Sequence, residues 1–333
     1  MRLPDFQYVE PGSIEKVCLF LKEHGQESKI IGGGTDLLPS MKQRIFKPKY
    51  LVNLGGIPEL DHIEFKESSG LRIGASTKLC SLETHPIVLE RYPLIAQAVK
   101  EIGSMQIRQM GTVGGNINLD TRCYYYNQSE FWRKCRPLCI KMAGEKCNAI
   151  GGGAKCFAVF SGDLSPALIA LGAKIKLQSA NGDRTLFLRD FYTGNGAKPF
   201  VIKPEEVLIS VEVPTIPKET FGLYLKYRIR KSIDFPLASV ATVITLDGNE
   251  KVCREVRVVL GALGPNPEEV KKIQEFLEGK RLENSIIEKV SDLAVRAANP
   301  VANVGDTPSN RKRMIKVFVE KIFKQTLKIL IEN

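Results

Sequence analysis

The most constraining stretch of this 333-residue chain runs from Met110 to Gly172, where a glycine-rich turn and a small apolar segment are held apart by a cysteine-rich insert. Of the eight cysteines, Cys123, Cys135, Cys139, Cys147 and Cys156 fall within the 34 residues 123–156. Thiolates are the ligands of zinc and of iron–sulfur clusters, both of which take four, so one site absorbs four of these five. Disulfides compete for the same residues, but they suit an oxidising compartment. The count is odd, and the opening MRLPDFQYVEPGS has no basic-then-apolar signal region. A metal centre in a cytoplasmic protein is the expectation. Spacing does not choose the metal. Cys135 and Cys139 are the one close pair, and Cys123, Cys139, Cys147 and Cys156 leave gaps of fifteen, seven and eight residues. Neither pattern is a paired zinc knuckle or a standard ferredoxin run.

A chain of this length accommodates two domains with full cores. No apolar run approaches the roughly 20 residues of a bilayer span, and the best stretch, 157–173, is interrupted by Asp163 and Pro166. A net charge of +11 raises the question of nucleic acid, yet the basic residues are dispersed and form no finger, RNP motif or basic helix. A solvated surface, or a face for an acidic protein, is expected instead. His24, His62 and His85 are isolated, with no HExxH pair.

Along the chain, Ile14, Val17, Cys18 and Leu21 recur at helical spacing behind Ser13, a helix with its cap. Lys29–Leu38 then reads strand, three glycines, helix. Such a turn gathers backbone amides for a phosphate, although an ordinary tight turn fits the same residues. A second glycine turn, Gly111-Thr112-Val113-Gly114-Gly115-Asn116, follows a helical run, and two such turns in one domain point to a dinucleotide. Asp163 opens a small-residue helix, where a carboxylate is first an N-cap and also an acceptor for ribose or ribityl hydroxyls. Strands are expected at 174–178, 185–188 and 207–213. Pro214 to Glu219 marks a domain boundary. Beyond it come strands at 221–228, 238–247 and 253–262, the last two joined by a Gly248-Asn249 turn, then helices near 267–278, 286–297 and 312–331.

With these pieces in order the sequence resembles the FAD-binding subunits of the molybdenum hydroxylases, the group of xanthine dehydrogenase and carbon monoxide dehydrogenase. The likeness is carried by IIGGGTDLLPSMK, LRIGAST, IGSMQIRQMGTVGGNI, GDLSPALIALGA, YLKYRIRKSIDFPLASVA and VVLGALGPNPEEV. It implies an α+β, two-domain flavoprotein fold. Residues 1–217 would form a PCMH-type FAD-binding domain of two subdomains with an insert at about 120–157, and residues 218–333 a C-terminal three-stranded sheet with helices. The flavin would lie between the domains. Its contacts would be Ile30, Ile31, Gly32, Gly33, Gly34, Thr35, Asp36, Leu37, the loop Gly111, Thr112, Val113, Gly114, Gly115, Asn116, and Asp163, Leu208 and Lys226.

In most of that family the second loop runs almost directly into the Asp-Leu-x-Pro helix. The branch resembled here, the flavin (beta) subunit of 4-hydroxybenzoyl-CoA reductase, carries an insert holding a 4Fe-4S cluster, and Cys123, Cys139, Cys147 and Cys156 match its spacing. The resemblance implies electron transfer from ferredoxin through the cluster and FAD to a small 2Fe-2S subunit and a large molybdopterin-binding subunit, in a dimer of heterotrimers. The phenolic hydroxyl would be removed on the large subunit, so no catalytic residue is expected here. An NAD-linked, xanthine dehydrogenase-like flavin subunit is the nearer rival. A redox-sensing iron–sulfur or zinc module is the further one.

Overall fold

Three short parallel strands, β1 (Gln7–Val9), β2 (Ser28–Ile31) and β3 (Tyr50–Asn53), form a sheet in the order β1-β3-β2. The structure, a computed structural model, describes residues 2–247 and 252–332. Helix α1 (Ile14–His24) returns the chain from β1 to β2 and buries Val17, Cys18 and Leu21; the Ser13 side chain accepts from the Lys16 amide, as the sequence led us to expect. Strand β1 was not anticipated, because three residues are too few to display an alternation. Helix α2 (Leu37–Lys42) follows the first glycine run.

The next sheet has five antiparallel strands: β4 (Ile63–Lys66), β5 (Gly70–Gly74), β6 (Lys174–Ser179), β7 (Gly182–Phe187) and β8 (Val207–Val213), in the order β4-β5-β8-β6-β7. Lys176 pairs with Ser210 but Leu177 pairs with Leu208, so Ile209 is an extra residue on β8. A bulge of this kind re-aims the strand. Ile209 packs in the core of the three-stranded sheet, with Val17 and Val52, while its carbonyl accepts from the Ala75 amide at 3.0 Å.

Between β5 and β6 lie α3 (Leu79–Thr84), α4 (Pro86–Arg91), α5 (Pro93–Lys100), α6 (Met105–Met110), α7 (Val113–Ile117), α8 (Glu130–Lys134) and α9 (Leu164–Ala170). Helices α4 and α5 begin on proline, which lacks the N–H a helix start leaves unpaired anyway. All seven residues of α9 are buried. Its small side chains let it sit against β10 and β11 of the second domain as well as against α5 and α7.

That domain carries β9 (Thr220–Tyr227), β10 (Ala238–Leu246), β11 (Cys253–Gly261) and β12 (Glu268–Glu269), antiparallel in the order β12-β11-β10-β9. The expected sheet of three strands has a fourth, two-residue edge strand. It occupies the start of a stretch read as helix from Pro267, and α10 (Lys271–Leu277) begins only after it. The Gly248-Asn249 turn lies outside the described residues. Every residue of β10 is buried. Val240 and Ile244 face α11 (Asn284–Ala297) and α12 (Pro308–Glu332), whereas Ala241 and Val243 join the core of the first domain.

The cysteine-rich insert leaves at Arg122 and returns at Val159, which exchange two backbone hydrogen bonds of 2.7 Å. Buried Arg133 on α8 donates to the carbonyls of Gln43 and Arg44 just beyond α2. On the other side Tyr124 N donates to Asn303 O at 2.9 Å and Asn303 Nδ2 to Phe157 O. The insert is thus anchored to both domains.

Arg311, fully buried at the start of α12, donates to the carbonyls of Leu237, Ala262 and Val301 at 2.7, 2.6 and 2.9 Å. Burial holds its guanidinium down to about 10. Arg311→Leu leaves the buried Leu237 and Ala262 carbonyls without a donor, while Val301 O keeps the Asn303 amide, and we expect about 3 kcal/mol of lost stability, read as a lower denaturant midpoint with an unchanged slope. A midpoint equal to that of the unsubstituted chain would contradict this role.

No helix among the described residues is long and apolar enough to cross a membrane.

Candidate cofactor site

The two glycine loops meet. A Cβ on Gly32 would lie 2.7 Å from Thr112 Oγ1, and one on Gly33 would overlap the Met110 carbonyl and crowd the Gly111 nitrogen. Glycine at these positions therefore allows loop to approach loop, a packing role in addition to the ligand clearance read from the sequence. Gly34 has φ +69°, a conformation that swings successive amides toward a common side. Among the described residues no acceptor takes the backbone N–H of Gly32, Gly33, Gly34, Thr35 or Asp36.

Loop two is held more tightly. Val113 and Gly114 donate to the Thr77 and Ala75 carbonyls at 3.0 and 2.8 Å, and Gly115 donates to Thr112 Oγ1 at 3.1 Å. Lys78, not singled out from the sequence, places Nζ 3.2 Å from Met110 O, at the seam between the loops. A run of unpartnered amides with a cation beside it fits a diphosphate.

Asp36 does not cap α2. Its carboxylate lies 2.9 Å from the Arg122 guanidinium, which also stacks over the Phe235 ring at 4.2 Å to its centroid. Burial raises the Asp36 carboxyl, and Arg122 opposes that rise.

Asp163 differs from the N-cap expected of it. It makes no side-chain cap bond to α9; Asn116 Oδ1 accepts from Leu164 N at 3.2 Å instead. The acceptor comes from loop two, 48 positions earlier, so no local signal could reveal it. This frees the Asp163 carboxylate for Tyr224 Oη at 2.7 Å and Lys226 Nζ at 2.9 Å. Lys226 also donates to Glu101 O at 2.8 Å, and its side chain is fully buried. Burial pushes the Asp163 carboxyl up against the pull of Lys226 and Tyr224, and pushes the Tyr224 hydroxyl up as well. Asp163 and Lys226 are thus brought together by their mutual ion pair. Leu208 is buried beside the β8 bulge.

Cys123, Cys139, Cys147 and Cys156 line a single cavity, together with Tyr125, Tyr126, Ile140, Lys141, Asn148, Ala149 and Ala158. Cys135 is not on this cavity and is exposed. All eight cysteines are free thiols. Burial raises the Cys123 thiol to about 11 and moves Cys156 in the same direction. Among the described residues no group of three or more His, Cys, Asp or Glu side chains is arranged to hold a metal ion. The four cysteines nonetheless share the lining of one space, and thiolates in fours are the usual ligands of zinc and of iron–sulfur clusters.

Segment 120–123 joins the two regions. Asp120 bonds Lys141 on the cavity wall, Arg122 bonds Asp36 of loop one, and Cys123 enters the cavity. None of these charged partners was evident from the sequence, since each pair is remote in chain position.

Residues 4–216 match the family described as the FAD binding domain in molybdopterin dehydrogenase, and residues 224–326 the carbon monoxide dehydrogenase flavoprotein C-terminal domain. The chain is 32% identical over 255 residues to the aldehyde oxidoreductase FAD-binding subunit PaoB of Escherichia coli, covering 72% of this chain and 76% of that one. It is 27% identical to the glyceraldehyde dehydrogenase medium chain of Sulfolobus acidocaldarius, with 97% and 98% covered. The solved carbon monoxide dehydrogenase of Hydrogenophaga pseudoflava superposes with a TM-score of 0.81 at 25% identity, over 98% of this chain and 99% of that one. These likenesses define an oxidoreductase flavoprotein. The chain belongs to the FAD-binding subunits of the molybdenum hydroxylases.

Proposed function

We propose that this chain is the FAD- and 4Fe-4S-containing electron-transfer subunit of a 4-hydroxybenzoyl-CoA reductase-like complex. Its partners are a large molybdopterin-binding subunit and a small 2Fe-2S subunit, in a dimer of heterotrimers, with ferredoxin as donor. The observation that carries the reading is the convergence of Cys123, Cys139, Cys147 and Cys156 on one cavity, next to a segment that touches the first glycine loop.

When bound, the flavin accepts one or two electrons and the cluster one. The protein supplies the rest. Amides of Gly32 to Asp36 hold the diphosphate, with the loop Gly111–Asn116 closing on it; Ile30, Ile31 and Leu37 carry the first loop. Asp163 and Lys226 serve as polar contacts through the capacity their ion pair leaves, since each carboxylate oxygen keeps a further lone pair. Leu208 is the apolar contact. Cys123, Cys139, Cys147 and Cys156, three of them buried, would hold the cluster. The glyceraldehyde dehydrogenase and carbon monoxide dehydrogenase relatives are medium chains, and the aldehyde oxidoreductase relative is an FAD-binding subunit, which supports an assembly with a larger and a smaller partner.

Stopped-flow reduction of the purified complex tests this reading. Reduced ferredoxin should bleach the flavin absorbance near 450 nm, roughly the band of oxidised flavins, at a rate that falls with added salt because the net charge of +11 steers an acidic carrier. Rapid reduction by NADH with none by ferredoxin would favour the NAD-linked hydroxylase. A purified chain without flavin absorbance would favour a binding module.

A further inference from the structure

One cation shares the cysteine cavity. Lys141 lies in sequence between Cys139 and Cys147, lines the same space, and has a side chain only 5% exposed. Its ammonium is held rather than free. Nζ is 2.7 Å from Asp120 Oδ1, donates to Thr121 O at 3.0 Å and to the Thr121 hydroxyl, and stands 4.7 Å from the centre of the Tyr126 ring. Thr121 is itself fully buried and its hydroxyl donates to Gly196 O at 2.7 Å, so the support of the ammonium is rigid. Cys156 lines the same cavity as Lys141. Asp120 also faces Lys29, while the neighbouring Arg122 is committed to Asp36.

A cluster held by four thiolates is anionic, and reduction adds one electron and therefore one more negative charge. A fixed cation in a poorly polarisable cavity lowers the energy of the more negative state by more than that of the less negative one. Net charge and the hydrogen bonds around the sulfurs are the protein's controls on cluster potential. We propose that Lys141 is a positioning residue whose restrained ammonium raises the reduction potential of the cluster in this cavity, with Asp120 limiting the rise. This rests on the cluster assignment above.

The two residues then act with opposite signs, an outcome that a purely structural role does not produce. In the assembled complex, Lys141→Gln should shift the cluster midpoint to more negative potential in an EPR-monitored redox titration. Asp120→Asn should shift it to more positive potential, and Lys141→Arg should hold it near the unsubstituted value. Lys134→Gln, which removes an exposed lysine of the same insert, should leave it unmoved. Iron and acid-labile sulfide are measured on every preparation. If Lys141→Gln loses its iron, Asp120→Asn and Lys141→Arg decide the matter. Unchanged potentials in charge-altering variants that retain iron, or shifts of the same sign at both positions, overturn the proposal. Absence of iron from the unsubstituted complex overturns the cluster assignment itself, and this proposal with it.

Discussion

Serine in place of Cys123, Cys139, Cys147 or Cys156, one at a time, should remove or destabilise the cluster, whereas Cys135→Ser should leave about four irons and four sulfides per flavin. The contrast follows from position. The four side chains line one cavity, and three of the residues are buried. Cys135 instead ends α8 on the surface, its amide taken by the carbonyls of Phe131 and Trp132. A serine there changes an exposed thiol to an exposed hydroxyl. Serine on the cavity replaces a soft sulfur donor with a hard, poorly ionised oxygen. Iron lost from Cys135→Ser but kept in Cys123→Ser would show the ligand set to be misassigned. One zinc and no sulfide in the unsubstituted chain would replace the cluster with a zinc site.

The second large effect is expected at Gly33. A valine side chain there would enter the Met110 carbonyl, which already accepts from Lys78. Backbone on both sides leaves no flexible atom to yield, so the two loops must part. FAD affinity should fall by at least about tenfold, the equivalent of roughly 1.4 kcal/mol. The far-UV circular dichroism should persist. Gly151→Val, at a position facing open space, should keep its flavin. Full FAD occupancy in Gly33→Val would remove the first loop from the site.

Much of this architecture was legible from residue patterns. Strand β8 lies at the expected 207–213 because an apolar run ended by Pro214 has little alternative. Helix α1 was marked by its cap and its i, i+4 apolar face. The cysteines announced themselves because few roles demand that residue type at such density. What stayed hidden depended on distance in the fold. The two-residue strand β12 exists only because β11 offers an edge for it, and its Glu-Glu sequence has no strand character of its own. The α9 cap comes from Asn116, and the partners of Asp36 and Lys141 come from segment 120–123. Each is a pairing between elements that only the assembled tertiary structure brings together.

The doorway of the insert has a consequence for how such a module is acquired. Arg122 and Val159 stand side by side and bond to each other through their backbones. The surrounding framework therefore meets the same two neighbouring residues whether the excursion between them is long or short. Chain statistics make the length itself inexpensive, since doubling a flexible loop adds only about 0.6 kcal/mol of closure entropy. A fold with its gate closed in this way can gain or shed a cofactor-bearing excursion without rebuilding its sheets, much as a circuit accepts a component across two adjacent terminals.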